Sequence, residues 1–501
     1  MHAHEVRVET HLGPGLPGFN VVGLADTEVR ESRERVRAAI INSGFEFPAG
    51  RITVNLSPAD MPKESGRFDL PIALGLLLAS GQLAPPAAED AKPSTPGASL
   101  ADMVLAGELS LTGALVPVAA PLVIALSVAR DAPDATLILP AGSAEQAAWV
   151  PGLQVLSARS LADVAAHAAG AGQLPNAIPR PWPEAPPAPC LSDVRGQPGA
   201  RRALEVAAAG GHSLLMMGPP GAGKTMLAAR LPGLLPPLAR GQALEAAAVA
   251  AMAGLPEALA SQPPFRAPHH SASVAALVGG GGRPRPGEIS LAHHGVLFLD
   301  ELPEFSRRAL EALREPLEAG RVVIARALYA AQFPARFQLV AAMNPCPCGW
   351  RGHPARACAC TPDQVARYAG KISGPLLDRI DLHVQVPRLE PAELRSDAPL
   401  GEDSGTVRAR VVATRDIQLR RAGKPNALLV PTELDKHCRL AEDDQYLLEA
   451  AVEQLQLSAR SMHRILRVAR TVADLAGCDN IETTHLAEAI GYRQVDRGRI
   501  G

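Results

Sequence analysis

The stretch Leu214 to Leu227, LLMMGPPGAGKTML, restricts this chain more than any other. Four apolar residues run into Gly218, and Gly218-Pro219-Pro220-Gly221-Ala222-Gly223-Lys224-Thr225 satisfies G-x-x-x-x-G-K-[ST] at every fixed position. The apolar run reads as a buried strand. The glycines let backbone N–H groups turn inward toward phosphate oxygens, and a helix beginning near Lys224 adds its positive end. Lys224 is then placed to reach the β- and γ-phosphates, and the Thr225 hydroxyl to ligate Mg²⁺. ATP and Mg²⁺ are the cofactors this spacing calls for. A glycine-rich turn with a chance Lys-Thr is the bland alternative; the strand before it and the helix-forming run Met226 to Leu231 after it argue against that.

The length of 501 residues suggests about three domains. An apolar content of 47% supports large cores and excludes a disordered chain. The net charge of −2 excludes a uniformly basic surface, so any DNA contact must come from a local patch or from a ring of subunits. Only six of the 49 basic residues are lysines, leaving 43 arginines, which suits phosphate contacts but equally suits an arginine-rich genome. Seven cysteines in so long a chain do not make a secreted disulfide scaffold. With no apolar run of about 18 residues and no signal peptide, a soluble cytoplasmic protein with no membrane partner is expected.

Residues 1–170 read as an α/β domain. Glu5 to Thr10 alternates like a strand, and Glu28 to Asn42 has helical spacing with Gly44 as a stop. Arg51 to Leu56 is a strand and Leu70 to Ala79 an apolar helix; Met103 to Leu105 and Thr136 to Leu139 are further strands. Residues 84–99 read as a surface insertion. The segments SPADMPKESGRFDLPIAL and AGELSLTGALVPV resemble the Lon-protease-like domain found in some AAA+ proteins. Lon proteases use a Ser-Lys dyad. Here the place of the nucleophile reads Phe68-Asp69-Leu70, and no lysine lies between Lys92 and Lys224, so the resemblance implies the fold without peptidase chemistry. Lys63 and Ser65 read as turn residues in a polar loop.

Residues 171–190 hold six prolines between Pro179 and Pro189, a semi-rigid linker in which Trp182 is a docking contact. Residues 191–389 form the core around the phosphate loop. Ser192-Asp193-Val194-Arg195-Gly196-Gln197 precedes a helix (Ala200 to Ala209); in AAA+ proteins such a segment lines the adenine pocket. Val296 to Leu299 is a buried strand ending in Asp300 and Glu301. Paired carboxylates at a strand's end need a partner; Asp300 would hold Mg²⁺ and Glu301 polarise the attacking water. An acidic helix cap is the other reading. Phe337 to Met343 is a strand tipped by Asn344, either a sensor of the γ-phosphate or a turn-forming Asn before Pro345.

Four cysteines, Cys346, Cys348, Cys358 and Cys360, lie within 15 residues as C-x-C, nine residues, C-x-C. They can surround a structural Zn²⁺, with Gly349 and Gly352 as turns and His353 as a spare ligand; four free thiols are the alternative. Arg266-Ala-Pro-His269-His270-Ser271 leads into Gly279 to Gly282, then Arg283, Arg285 and Gly287-Glu288. His293-His294 follow, adjacent side chains that diverge, which favours hydrogen-bonding or pore-loop roles over a metal. Gly320 to Phe337 reads as a β-hairpin carrying Arg321, Arg326 and Arg336, either a DNA grip or an ordinary solvated hairpin. Residues 390–501 are helical. Val407 to Arg421 and Asp443 to Leu455 are amphipathic, Leu457 to Arg470 is basic with an apolar face, and Thr483 to Ile490 closes the bundle.

Together PPGAGKT, PHHSAS with its glycines, PGEISLAHHGVLFLDE, NPCPCG, SGPLLDRIDLHV and LSARSMHRILRVARTVADL resemble the magnesium-chelatase-like AAA+ ATPases of the YifB/ComM type, over essentially the whole chain. The resemblance implies an AAA+ core with a parallel sheet, a helical lid, and a hexameric ring that acts on single-stranded or branched DNA by branch migration during natural transformation. It implies an arginine finger at Arg379, with Asp378 or Asp381 as the alternative salt-bridge partner. It implies a lid arginine at Arg460, with Arg464 as a second candidate. Arg283, Arg285, Arg321 and Arg326 are the DNA-contact candidates. The family usually has a further strand before the segment matching Val6 to Glu9, so either the start is misassigned or the first strand is absent, which would weaken that domain. A chelatase-type remodeller of a partner protein is the competing expectation; an ATP-dependent protease is a third, weakened by the missing dyad.

Overall fold

The computed structural model describes residues 3–23, 27–59, 63, 66–84, 100–182, 188–255, 261–281, 284–325, 330–353, 356–390, 393 and 401–493. The chain forms two compact units, Met1–Trp182 with Gly254–Glu257, and Pro183–Ala253 with Ala258–Gly501.

The first unit holds two three-stranded sheets. Arg51–Ser57 is the centre of one, antiparallel to Arg7–Gly13 and parallel to Gly18–Val22. Its alternate residues Ile52, Val54 and Leu56 are buried, as period 2 requires. The helix Thr27–Asn42 turns Val29, Val36, Ala39 and Ile40 into that core, and Asp69–Ala79 joins it with Leu70, Ala73, Leu76 and Leu77. In the other sheet Thr136–Pro140 runs parallel to both Met103–Leu105 and Gln154–Ala158. The helices Pro121–Asp131, Ala141–Ala147 and Leu161–Ala168 and the antiparallel pair Glu108–Leu109 with Leu115–Val116 also belong to the unit.

One sequence reading changes here. Lys63 is not a polar-loop residue: it is 1% exposed, and its ammonium donates to the Pro58 carbonyl. Ser65 lies outside the described residues. Asp69, where a Lon nucleophile would stand, is fully buried. It accepts from Arg35 Nε at 2.6 Å and from the Leu109 N–H at 3.3 Å. Burial pushes its carboxyl up to about 6 against the pull of Arg35. Trp182 stands against Trp149, ring centroids 6.5 Å apart, while Trp149 Nε1 donates to Arg180 O at 2.7 Å.

The second unit is built on a five-stranded parallel sheet in the order Phe265–Arg266, Val296–Leu299, Gln338–Met343, Leu214–Met217, Leu382–Gln385. Its three central strands are buried at every residue, as expected for strands covered on both faces. Leu214, Met216, Phe298, Val340 and Leu382 pack on one face, and Leu215, Met217, Leu297, Leu339 and Ala341 on the other. The register pairs Met343 with Met217 and Leu299 with Ala341, so the polar tips of these strands meet along one edge. In open α/β sheets ligands bind at that carboxyl edge. The helix after the phosphate loop spans only Lys224–Ala228, and a new turn, Leu231–Leu234, opens with Pro232, whose ring cannot continue the ladder.

The lid comprises the helices Ser404–Ala422, Pro431–His437, Glu442–Gln454, Ala459–Leu475 and Thr483–Gly491. Ile465, Val468, Ala469 and Val472 form the buried stripe of the fourth. One ion pair ties this helix to the sheet. Arg464 Nη1 donates to Asp381 Oδ1, and Asp381 Oδ2 accepts from the Ser213 N–H and hydroxyl, each at 3.0 Å. Burial alone would raise the Asp381 pKa, but Arg464 and His212 hold it well below the usual carboxylate range. Its contribution to stability is therefore fully present above the unfolded value of about 3.9 and is lost as pH falls through the lower folded value. Asp381→Asn is expected to cost about 3–5 kcal/mol at pH 7. Denaturant melts should show the gap to the parent narrowing as the pH is lowered below that unfolded value; a constant gap would assign the loss to packing.

Candidate nucleotide site

The phosphate loop leaves the sheet at Met217, where Gly218 N–H donates to Met343 O at 3.2 Å. A Cβ at Gly218 would lie 2.1 Å from Val386 O, so only glycine fits between these strands. Gly221 (φ 77°) and Gly223 (φ 89°) take left-handed conformations that turn the loop into the helix at Lys224. Gln197, itself at φ 54°, closes the loop from behind by donating to Ala222 O at 3.3 Å and Pro387 O at 2.6 Å. The segment expected near adenine thus clamps the loop to the end of the last strand. Gly196 and Arg201 of this region also border a cavity of about 580 Å³ with Glu402 and Arg410, and no phosphate-loop residue lines it.

Four of the predicted site residues converge at the strand ends. Lys224, 8% exposed, donates to Gly218 O (2.7 Å), Pro219 O (2.9 Å) and Asn344 Oδ1 (3.1 Å). Burial lowers its pKa, and the charges of Asp300 and Glu301 work the other way. Thr225 Oγ1 donates to Asp300 Oδ2 at 2.6 Å. The hydroxyl and carboxylate expected to share Mg²⁺ therefore point at one spot, and these hard oxygens suit that ion. Glu301 is exposed and holds φ 52°, an uncommon backbone for a glutamate, with Oε2 3.2 Å from His270 Nδ1. The sequence did not single out that His270 contact.

The histidine pair corrects the expectation that adjacent side chains diverge. The His293 and His294 rings lie 3.8 Å apart, and both Nε2 atoms approach Glu245 Oε2, at 3.2 and 2.7 Å. Hydrogen bonds from both rings lower the Glu245 pKa, and burial lowers that of His293. Two imidazoles and a carboxylate can ligate a metal, yet His293 Nδ1 already accepts the Arg336 N–H at 3.0 Å. That leaves the ring proton on Nε2, aimed at Glu245, so the trio is a hydrogen-bonded clamp. It anchors the segment before the Val296–Leu299 strand. Nearby, Glu288 receives both arms of Arg266, at 2.7 and 2.8 Å.

The four cysteines gather. Three Sγ–Sγ separations are 3.4, 3.6 and 3.5 Å, and all four sulfurs lie within 4.8 Å of one another. A tetrahedron of Zn–S bonds of about 2.3 Å has edges of about 3.8 Å, so the donor set fits that metal. Backbone N–H groups of Cys348, Arg351 and Cys360 point at sulfurs, and the Trp350 N–H draws the Cys348 thiol down to about 6. His353 is not among the gathered ligands; it packs edge-on to Trp350.

The arginines depart most from expectation. Arg379 is 7% exposed; its partner is Glu318, at 2.5 Å, rather than Asp378 or Asp381, and it donates to Pro375 O at 2.6 Å. Its Nε has no partner. Arg460, expected to reach the nucleotide, is 66% exposed and lies 3.9 Å from the same Glu318. Arg464, the second candidate, is committed to Asp381. Among the DNA-contact candidates, Arg285 and Arg321 are exposed on two short hairpins, Gly279–Gly280 with Arg285–Pro286 and Arg321–Ala325 with Ala330–Pro334. The hairpins are neighbours, since a Cβ at Gly279 would meet Ile324 at 2.9 Å. Arg283 and Arg326 lie outside the described residues.

A parallel sheet with a phosphate loop after one strand, an Asp-Glu pair after a second and an Asn after a third defines a P-loop ATPase core of the AAA+ class. Residues 190–394 match the family described as magnesium chelatase, subunit ChlI, residues 8–143 its subunit ChlI of Mg-chelatase region, and residues 401–493 its ChlI C-terminal region. The chain is 47% identical over 502 residues to the uncharacterised protein YifB of Salmonella typhimurium, covering 99% of this chain and 96% of that one. It is 48% identical over 500 residues to the competence protein ComM of Haemophilus influenzae, covering 98% and 95%. A Mycobacterium bovis protein, Mb2921c, is 43% identical over 504 residues, covering 99% and 96%. The chain belongs to the magnesium-chelatase-like YifB/ComM family of AAA+ ATPases. Among the described residues no helix is long and apolar enough to cross a membrane.

Proposed function

We propose that this protein is a cytoplasmic, ring-forming, ATP-driven DNA motor that drives branch migration during integration of donor DNA in natural transformation, the first unit serving as a Lon-like scaffold without peptidase chemistry. The observation that carries this reading is 48% identity over nearly the whole chain to a competence protein, on a chain whose site residues converge as an ATPase requires. Bound Mg²⁺ would supply charge neutralisation at the phosphates, held by Thr225 and Asp300. Lys224 orients the phosphates from the loop, Glu301 takes a proton from the attacking water at its carboxylate, and Asn344 fixes Lys224. The four cysteines hold a structural Zn²⁺.

The hairpin arginines give the motor a grip on the phosphate backbone. ATP turnover is expected to rise with single-stranded DNA and to drive strand displacement from a branched junction. Turnover indifferent to DNA would reject the motor and leave a chelatase-type remodeller of a protein partner. Arg285→Ala and Arg321→Ala are each expected to lower the slope of log affinity against log salt by about 1, with equal loss on unrelated sequences. An unchanged slope in both variants would move the contact elsewhere.

A further inference from the structure

We propose that zinc at the four cysteines sets the position of the phosphate loop, so that metal occupancy controls nucleotide affinity. This rests on reading the 218–225 loop as the nucleotide site and the cysteines as a zinc site. The two sites are joined at three points. Gly218 N–H donates to Met343 O, Lys224 Nζ donates to Asn344 Oδ1, and Cys346 follows Asn344 by two residues. The third join is steric. Gly349, between the two cysteine pairs, is buried at φ 79°, where an added Cβ would lie 2.5 Å from Pro220 Cδ and 3.1 Å from its Cγ. The cysteine turn is thus packed against Pro220 of the phosphate loop.

Between Asn344 and the helix Pro362–Ala369 there is no helix or strand among the described residues. Gly349 is held there by a turn bond, Gly349 N–H to Cys346 O at 2.9 Å, and its neighbours by the gathered sulfurs, with Arg356 4.3 Å over the Trp350 ring and Arg388 Nη1 3.4 Å from His353 Nε2. A tetrahedral metal converts that gathering into fixed bonds and supplies ordering energy to the turn. A solvated zinc knuckle would have no cause to seat a glycine on Pro220. Coupling between binding sites is reciprocal, so bound nucleotide must also retain the metal.

The test uses the full chain produced in zinc-supplied cells. Metal is counted by mass spectrometry, and a fluorescent ATP analogue is titrated in excess Mg²⁺. One zinc per chain is expected. Its removal by a chelator should weaken analogue binding by about 5- to 150-fold, the usual range of such couplings, and zinc return should restore it. Analogue should slow zinc release by a comparable factor. Gly349→Ala should keep its zinc yet bind analogue more weakly, while Cys358→Ser should lose its zinc and weaken analogue binding as chelation does. Gly349→Ala decides the matter if the stripped chain aggregates. Equal analogue affinity with and without zinc, or unchanged affinity in Gly349→Ala, overturns the coupling while leaving both parent readings standing. Absence of zinc sinks the metal reading and the coupling with it; failure of the zinc-loaded chain to bind analogue sinks the nucleotide site instead.

Discussion

Lys224→Ala is expected to reduce ATP turnover by at least about 10²–10³-fold, the cost of deleting one preorganised charge from a transition state. The fold should survive. Alanine is the best helix former, and residue 224 opens a short helix. The lost ammonium leaves three acceptors, of which Gly218 O is buried while Pro219 O and Asn344 Oδ1 belong to half-buried residues. The variant's thermal melt should therefore stay close to the parent's while turnover disappears. Lys224→Arg is expected to fail nearly as badly, because a planar fork cannot make the three-way contact that the ammonium makes here. Steady-state ATPase assays decide the point: a variant keeping a tenth of parental turnover would remove Lys224 from the chemistry.

Much of the ATPase core could be read before the structure, for a physical reason. Buried parallel strands are continuous apolar runs, and VLFL, QLVAAM and LLMM break off into Asp-Glu, Asn-Pro and Gly-Pro, so strand and strand-end function are written in adjacent letters. The cysteine cluster was legible for the same reason, being local. The first unit was less so. Gly18–Val22 is half-exposed and opens with glycine, so it lacks the alternation that marks Arg51–Ser57. What could not be read were partnerships across the chain. Arg379 is followed closely by Asp381, yet its carboxylate is Glu318; Asp381 goes to Arg464, 83 residues away. Glu245 gathers two histidines 48 and 49 positions on, and Gly349 meets Pro220. Residue type and spacing announce that an arginine needs an acid, and only the packing of helices on the sheet selects which.

Arg379→Ala is expected to lower turnover by about 10³–10⁵-fold if its guanidinium completes a neighbour's site in the proposed ring. In the single chain that guanidinium is not free. It is held by Glu318 and Pro375 O, with Nε unpartnered and Arg460 close to the same carboxylate. One acid thus stores two arginines side by side, and the triphosphate of an adjoining subunit, carrying more negative charge than Glu318, could draw them across the interface. This account forecasts complementation. Rings of Arg379→Ala chains lack every finger, and rings of Lys224→Ala chains lack every phosphate loop. In a mixture, an intact loop on one subunit meets an intact finger on the next, and activity returns, peaking near equal proportions. Were Arg379 to serve its own chain, or to act only as a fold-stabilising ion pair with Glu318, mixing would restore nothing at any ratio.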